Sequence, residues 1–224
     1  MAGQTVTSVG ALAMMTSLLL APLTRHIDRR RILLILSLLL IVSNLLVASA
    51  ENYGMLLVGR GLLGVCVGGF WSMASAVTIQ LVPARDIPRA LSIIYAGVSV
   101  ATIIALPLAS LLEKNFGWRN VFLLSVIPGT VSLLWQFLSL PPLPPRPGND
   151  FRGMLSLLKT RWALAGFAAT ILAYGGYHTL FTYLRPYLQH GLGLETTTLS
   201  CMLLAYGVSN TMGTFVAGSL LHRN

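Results

Sequence analysis

Seven long runs without a charged residue constrain this chain more than any other feature. They cover residues 1–24, 32–50, 61–84, 90–112, 120–145, 162–184 and 196–222, with lengths of 24, 19, 24, 23, 26, 23 and 27. An α-helix crosses the hydrocarbon core of a bilayer with roughly 20 mostly apolar residues. Lipid offers no partner to bare backbone groups, so only helices and closed barrels span it. Barrel strands are short and alternate in polarity, and these runs do neither. The expected fold is an all-α membrane protein with spans at Gly3–Leu23, Arg31–Ala50, Tyr53–Leu81, Pro88–Leu112, Asn120–Leu140, Trp162–Leu188 and Thr196–Leu221. Only 9% of the 224 residues are charged, against about 25% in a soluble domain. That excludes a soluble enzyme, a disordered chain and a secreted disulfide scaffold. The start of the chain also lacks the basic flank of a secretory signal.

The net charge of +9 would suggest nucleic acid in a soluble protein. Here the positive-inside rule accounts for it. Eleven basic residues fall in one set of loops: Arg25, Arg29, Arg30, Arg31, Arg85, Arg89, Arg146, Arg152, Lys159, Arg161 and Arg223. The opposite set holds three, Lys114, Arg119 and Arg185. The basic side is read as cytoplasmic, with the N-terminus outside and the C-terminus inside a bacterial inner membrane. Cys66 and Cys201 fall within spans and read as small packing residues, and no metal-ligand or disulfide spacing is visible.

Pro141-Pro142-Leu143-Pro144-Pro145-Arg146-Pro147-Gly148 cannot continue a helix, because proline lacks the donor and clashes with the preceding turn. It divides the chain into residues 1–140 with five spans, a cytoplasmic central loop over 141–161, and residues 162–224 with two spans. Within the loop, Phe151–Lys159 is expected as a short amphipathic surface helix.

Two loop signatures and one helix motif narrow the class. The first turn reads Thr24-Arg25-His26-Ile27-Asp28-Arg29-Arg30-Arg31, one acid among four arginines. That acid is placed to cap or pair with a helix end, or to be simply part of a solvated basic turn. Gly218-Ser219-Leu220-Leu221-His222-Arg223 echoes the turn near the other end of the chain, and spaced internal symmetry is how transporters are built. The third span carries Leu57-Val58-Gly59-Arg60-Gly61-Leu62-Leu63-Gly64.

On these residues the sequence resembles the major facilitator superfamily. Asp28-Arg29 matches that family's Gly-x-x-x-Asp-Arg loop, with Thr24 in place of the glycine. Arg60 followed by Gly64 looks like its fourth-span motif. Pro107 sits where the drug:proton antiporter-like branch has its fifth-span proline, although Leu106, Ser110 and Leu111 stand where glycines are usual. Val65 to Pro83, Gly117 to Phe122 and Phe181 to Pro186 look similar to bacterial purine ribonucleoside efflux pumps. The resemblance implies a major-facilitator-type helical bundle with seven spans present of an expected twelve, the second to the eighth. It also implies alternating access, a gating role for Asp28 and Arg29, a proton-coupling role for Arg60, no cofactor beyond a proton gradient, and a monomer when complete.

The candidate residues have a physical basis of their own. A charge at mid-bilayer costs at least ~2.5 kcal/mol on the insertion scale, so Arg60 must either snorkel to the outer face or face protein. Gly64, Gly68 and Trp71 share its stripe, and Gly64-x-x-x-Gly68 permits close approach by a neighbouring helix. No Asp or Glu lies within an expected span. His178 is the one titratable side chain near a span centre, as a proton carrier or as a hydrogen-bonded core histidine. Tyr174, Tyr177, His178, Phe181 and Arg185 recur at helical spacing on the sixth span, beside Gly175-Gly176. They offer ring faces and polar edges suited to a purine, or an aromatic packing face anchored at the interface. Tyr95 on the fourth span, and Asn210 with Tyr206 on the seventh, are weaker cavity candidates.

The expected partners are therefore a small-molecule substrate and membrane lipid, without nucleic acid. The expected function is secondary active transport: proton-coupled efflux of a purine ribonucleoside or a related small solute. Drug or sugar efflux, and uptake, stay open. So does a reading of another class, a truncated and transport-inactive membrane chain. A membrane enzyme would need paired acids or a nucleophile with its base, and a channel would need charge rings or a filter loop. Neither pattern occurs.

Overall fold

The computed structural model describes residues 2–145, 156, 159–188, 198, 201–202, 204–209 and 212–213. Among these residues all regular secondary structure is helical: α1 Ala2–Leu23, α2 Arg29–Ala48, α3 Tyr53–Leu81, a 3-10 turn Ala84–Asp86, α4 Ile87–Phe116, α5 Trp118–Ser139 and α6 Arg161–Pro186. Helical residues at 201–202, 204–209 and 212–213 fall in the expected seventh span, so each of the seven spans holds helix. The expected surface helix Phe151–Lys159 lies almost wholly outside the described residues. By length and composition, Arg29–Ala48, Tyr53–Leu81, Ala84–Ala105 and Trp118–Ser139 can each cross a membrane, and Gln4–Leu20 is a shorter apolar helix.

Helix ends follow local chemistry. The Asp28 side chain accepts from the backbone N–H of Arg30 and so starts α2 at Arg29, two residues before the expected start. Asn52 caps α3 by accepting from Met55 N–H at 2.8 Å. Pro83 ends α3 by holding Val82 extended, at φ −125° and ψ 151°. Pro88 sits in the first turn of α4, where its missing donor costs nothing. The largest departure is at the far end of α4, which runs to Phe116 rather than Leu112. The true stop is Gly117, whose φ of +80° suits only glycine and which also begins α5 at Trp118. Glu113 consequently lies within helix, exposed in the last turn of α4.

The chain divides into two compact units, Met1–Ile94 with Ala105–Gly148, and Tyr95–Ile104 with Asn149–Asn224. In the first unit α1 and α2 both pack on α3, and α5 packs on α2. Glycines make this possible. A Cβ on Gly59 would meet Val47 of α2 at 2.7 Å, one on Gly64 would meet Val9 O of α1 at 2.5 Å, and one on Gly68 would fall closer still to Ala13 O. An apolar cluster of Ile32, Leu33, Leu36, Met73, Val77 and Leu143 fills the basic end of this unit.

Lipid acts as the outer solvent, so large apolar residues point outward: Leu138 is 80% exposed, Leu172 76% and Trp135 72%. Polar groups turn inward, as with Ser43, whose hydroxyl donates to Gly59 O at 2.7 Å. Cys66 is buried as a packing residue, whereas Cys201, expected to pack likewise, is exposed.

Close helix approach should outweigh the interhelical hydrogen bond. Gly68→Val is expected to lower stability in detergent by about 1–3 kcal/mol through overpacking. Ser43→Ala should cost only ~0.6 kcal/mol, the average for such bonds in membranes. Thermal unfolding of the two variants side by side checks the order.

Candidate functional site

The basic turn between α1 and α2 is a built structure. One Asp28 carboxylate oxygen, Oδ1, accepts the backbone N–H of Arg30 at 2.8 Å and that of Leu143 at 3.1 Å. The backbone N–H of Arg29 donates to Leu143 O at 3.0 Å. Leu143 is thereby clasped at both of its backbone groups, and its side chain, 4% exposed, enters the apolar cluster. The guanidinium of Arg29 donates to Ala76 O of α3 at 3.1 Å, and that of Arg30 to Phe137 O of α5 at 2.6 Å. Phe137 lies in the last turn of α5, where carbonyls lack helical partners and a cation is favoured.

Asp28 therefore caps its own helix and holds the proline-rich segment that follows α5. Against that proline-rich segment the amide of Gln80 is buried, with neither nitrogen nor oxygen hydrogen-bonded among the described residues, at a cavity of about 240 Å³ lined by Leu81 and Pro141 to Pro144.

Arg60 reaches a ring. Its guanidinium carbon lies 4.8 Å from the centroid of Phe122 on α5. Phe122 meets Trp118 edge-on at 6.2 Å, and Arg119 stacks over Trp118 at 4.5 Å while donating to Ala50 O at 2.8 Å. Two cations are thus held on an aromatic pair at the start of α5. Gly64 and Gly68, expected on one stripe with Arg60 and to permit close approach by a neighbouring helix, are covered by α1. Trp71 is 40% exposed and edge-on to Phe70 at 5.7 Å.

In the second unit α6 gathers an aromatic group. The His178 ring lies 5.3 Å from Tyr177 and 6.2 Å from Tyr174, and Tyr177 stacks on Tyr206 at 6.2 Å with 27° between the planes. Tyr206 comes from the residues after α6, so two chain segments build the stack. The Tyr95 segment of α4 belongs to this unit, and its Ile103 would lie 2.9 Å from a Cβ on Gly207, next to Tyr206. Tyr95 itself is 42% exposed. Among the described residues, Gly175 and Gly176 face open space.

Phe181 and Arg185 lie on α6 and Pro107 on α4, but their side chains, and Asn210 altogether, fall outside the described residues. The expected set is thus divided. Asp28 and Arg29 join one cluster, Arg60 another, and Tyr174, Tyr177 and His178 a third. Leu143 was missed as a partner for Asp28. Its signal was visible, as the one apolar residue among four prolines. Tyr206, a weaker candidate by sequence because nothing local distinguishes it from a lipid-facing tyrosine, meets the Tyr177 ring.

The family pattern described as Major Facilitator Superfamily matches residues 1–224. The purine ribonucleoside efflux pumps NepI of Salmonella paratyphi B and of Salmonella typhimurium are each 39% identical over 223 residues. The alignment covers 100% of this chain and 56% of each pump, so the chain spans about half the length of the curated relatives it matches. Among solved structures, a bacterial homologue of the human lysosomal transporter Spinster, in an inward-facing and unoccupied conformation, superposes with a TM-score of 0.61. It is 16% identical, covering 96% of this chain and 53% of that one.

Proposed function

The chain belongs to the major facilitator superfamily, a family of transporters rather than enzymes, and from that premise we propose that it forms part of a proton-coupled exporter of purine ribonucleosides in a bacterial inner membrane. It is a multi-pass membrane protein with seven of the family's twelve spans. The observation that carries the substrate reading is the Tyr177–Tyr206 stack with His178 against it. A purine presents two flat faces and a polar edge, and base–aromatic stacking is worth ~1–3 kcal/mol per base. Two tyrosines and an imidazole supply rings for the faces and hydrogen-bonding groups for the edge. The 39% identity to the NepI pumps points the same way.

Asp28 and Arg29, on this reading, belong to the gate at the basic end, and Arg60 to proton coupling. Loop charge supports a cytoplasmic basic end, with the 141–161 segment as the central loop between two bundles on that side. In cells producing the complete transporter that contains this chain, labelled inosine should leave faster than from empty cells. Tyr177→Ala should weaken apparent affinity by about tenfold or more, one ring's worth of stacking. Collapse of the proton gradient should stop export. An absence of inosine flux would remove the substrate, and export that survives the collapse would remove the coupling.

A further inference from the structure

We infer that the groove between the basic ends of α2 and α5 is a binding site for an anionic phospholipid, with its phosphate at Arg30 and Arg31 and one acyl chain along the groove. The groove measures about 340 Å³ and is lined by Leu34, Ile35 and Leu38 of α2 and Leu133, Leu134 and Phe137 of α5. Its walls are apolar yet open, with Ile35, Leu38, Leu134 and Phe137 each more than half exposed. A lipid-facing surface need not be concave, and this one is.

The polar end of the groove carries the charge that selects the occupant. The Arg30 guanidinium lies 5.6 Å from the Phe137 ring centroid and donates to Phe137 O at 2.6 Å, so it is fixed at the mouth of the groove. Arg31 beside it is exposed. No carboxylate neutralises either guanidinium among the described residues. The nearby Asp28 oxygen is taken by the backbone N–H groups of Arg30 and Leu143. Fixed arginines at a headgroup level, next to an apolar slot between helices, recognise an anionic headgroup.

The lengths agree. Eight residues separate Arg30 from Leu38, about 12 Å along the helix, and one leaflet's hydrocarbon is roughly 15 Å deep. One acyl chain therefore runs the length of the groove with its phosphate beside the arginines. This site stands apart from the transported solute and from the direction of transport.

The test uses the whole 224-residue chain, purified in detergent and titrated with phosphatidylglycerol or phosphatidylcholine. Bound lipid is counted by native mass spectrometry, which reads occupancy independently of stability. The wild type should retain one phosphatidylglycerol with an affinity about thirtyfold above that for phosphatidylcholine, the scale expected of two basic groups. Arg30→Gln with Arg31→Gln should reduce that preference to less than about twofold, while Arg31→Lys should keep it. Leu134→Trp should fill the groove and lower occupancy by both lipids. Equal retention of the two lipids by the wild type would overturn the inference. So would full preference in the double glutamine variant, or disulfide-linked dimers from Ile35→Cys, which would assign the groove to a second copy.

Discussion

Asp28→Ala is expected to release Leu143 and destabilise the chain by about 2–3 kcal/mol. Loss of a helix N-cap costs roughly 1 kcal/mol, and Leu143 leaving its apolar cluster forfeits part of the ~1.5–3 kcal/mol of a fully buried leucine. The two effects are coupled, because one oxygen, Asp28 Oδ1, serves both Arg30 N and Leu143 N. They will therefore not simply add. Asp28→Asn keeps an acceptor oxygen in the same place and is an equally good N-cap, so it should cost under about 1 kcal/mol. The readouts are thermal unfolding in detergent and maleimide labelling of Leu143→Cys in a chain lacking Cys66 and Cys201. The alanine variant should label about tenfold faster, since a clasp worth one to two kcal/mol corresponds to that change in opening. Equal labelling in the two backgrounds would show that the clasp does not hold the segment. In the complete transporter, a loss of export in the asparagine variant with the clasp intact would assign the gating role to the charge itself.

Phe122→Ala should strand Arg60. A cation over a ring in a desolvated setting is stabilised by about 2 kcal/mol, and the alanine variant leaves the Arg60 guanidinium within α3 without that ring. Phe122→Ala is accordingly expected to destabilise the first unit by about 2 kcal/mol beyond its lost packing. Combined with Arg60→Met it should cost less than alone, giving a coupling of about 1–2 kcal/mol in a double-mutant cycle. Arg60→Met by itself should insert and fold well, because it removes a charge from the membrane. It should abolish proton-dependent inosine export by the complete transporter all the same. Additive effects in the cycle would remove Phe122 as the partner, and retained coupled export would remove Arg60 from the mechanism.

Much of the local structure was legible because membranes enforce it locally. Asp28 before a run of arginines and leucines, Pro88 at the start of α4, and Pro141-Pro142 after α5 each mark a helix end by a backbone property of that residue. Where the reading slipped by a turn, at Leu112 against Phe116, the signal was present in Gly117 but was outweighed by Glu113 and Lys114, which marked the end of an uncharged run. The candidate sites were legible only in part. Arg60 declares itself by the cost of its charge. Tyr206 has no such mark, and its value depends on Tyr177, which lies 29 positions earlier in the chain.

Helical crossing of a membrane, the approximate bounds of α1 to α6 and the loops that carry the positive charge are all written in the local sequence. These properties follow from uncharged length and from hydrogen bonds closed within each helix, which need no partner. Which faces meet is set by packing between helices. In water an amphipathic pattern separates the inside of a bundle from the outside, but lipid tails are as apolar as leucine, so helices that are apolar all round carry no such pattern. The division of the α3 glycines between α1 and α2 therefore comes from shape. The ring under Arg60, the stack of Tyr177 on Tyr206, and the hold of Asp28 on Leu143, 115 residues away, likewise come from helices distant in sequence brought side by side.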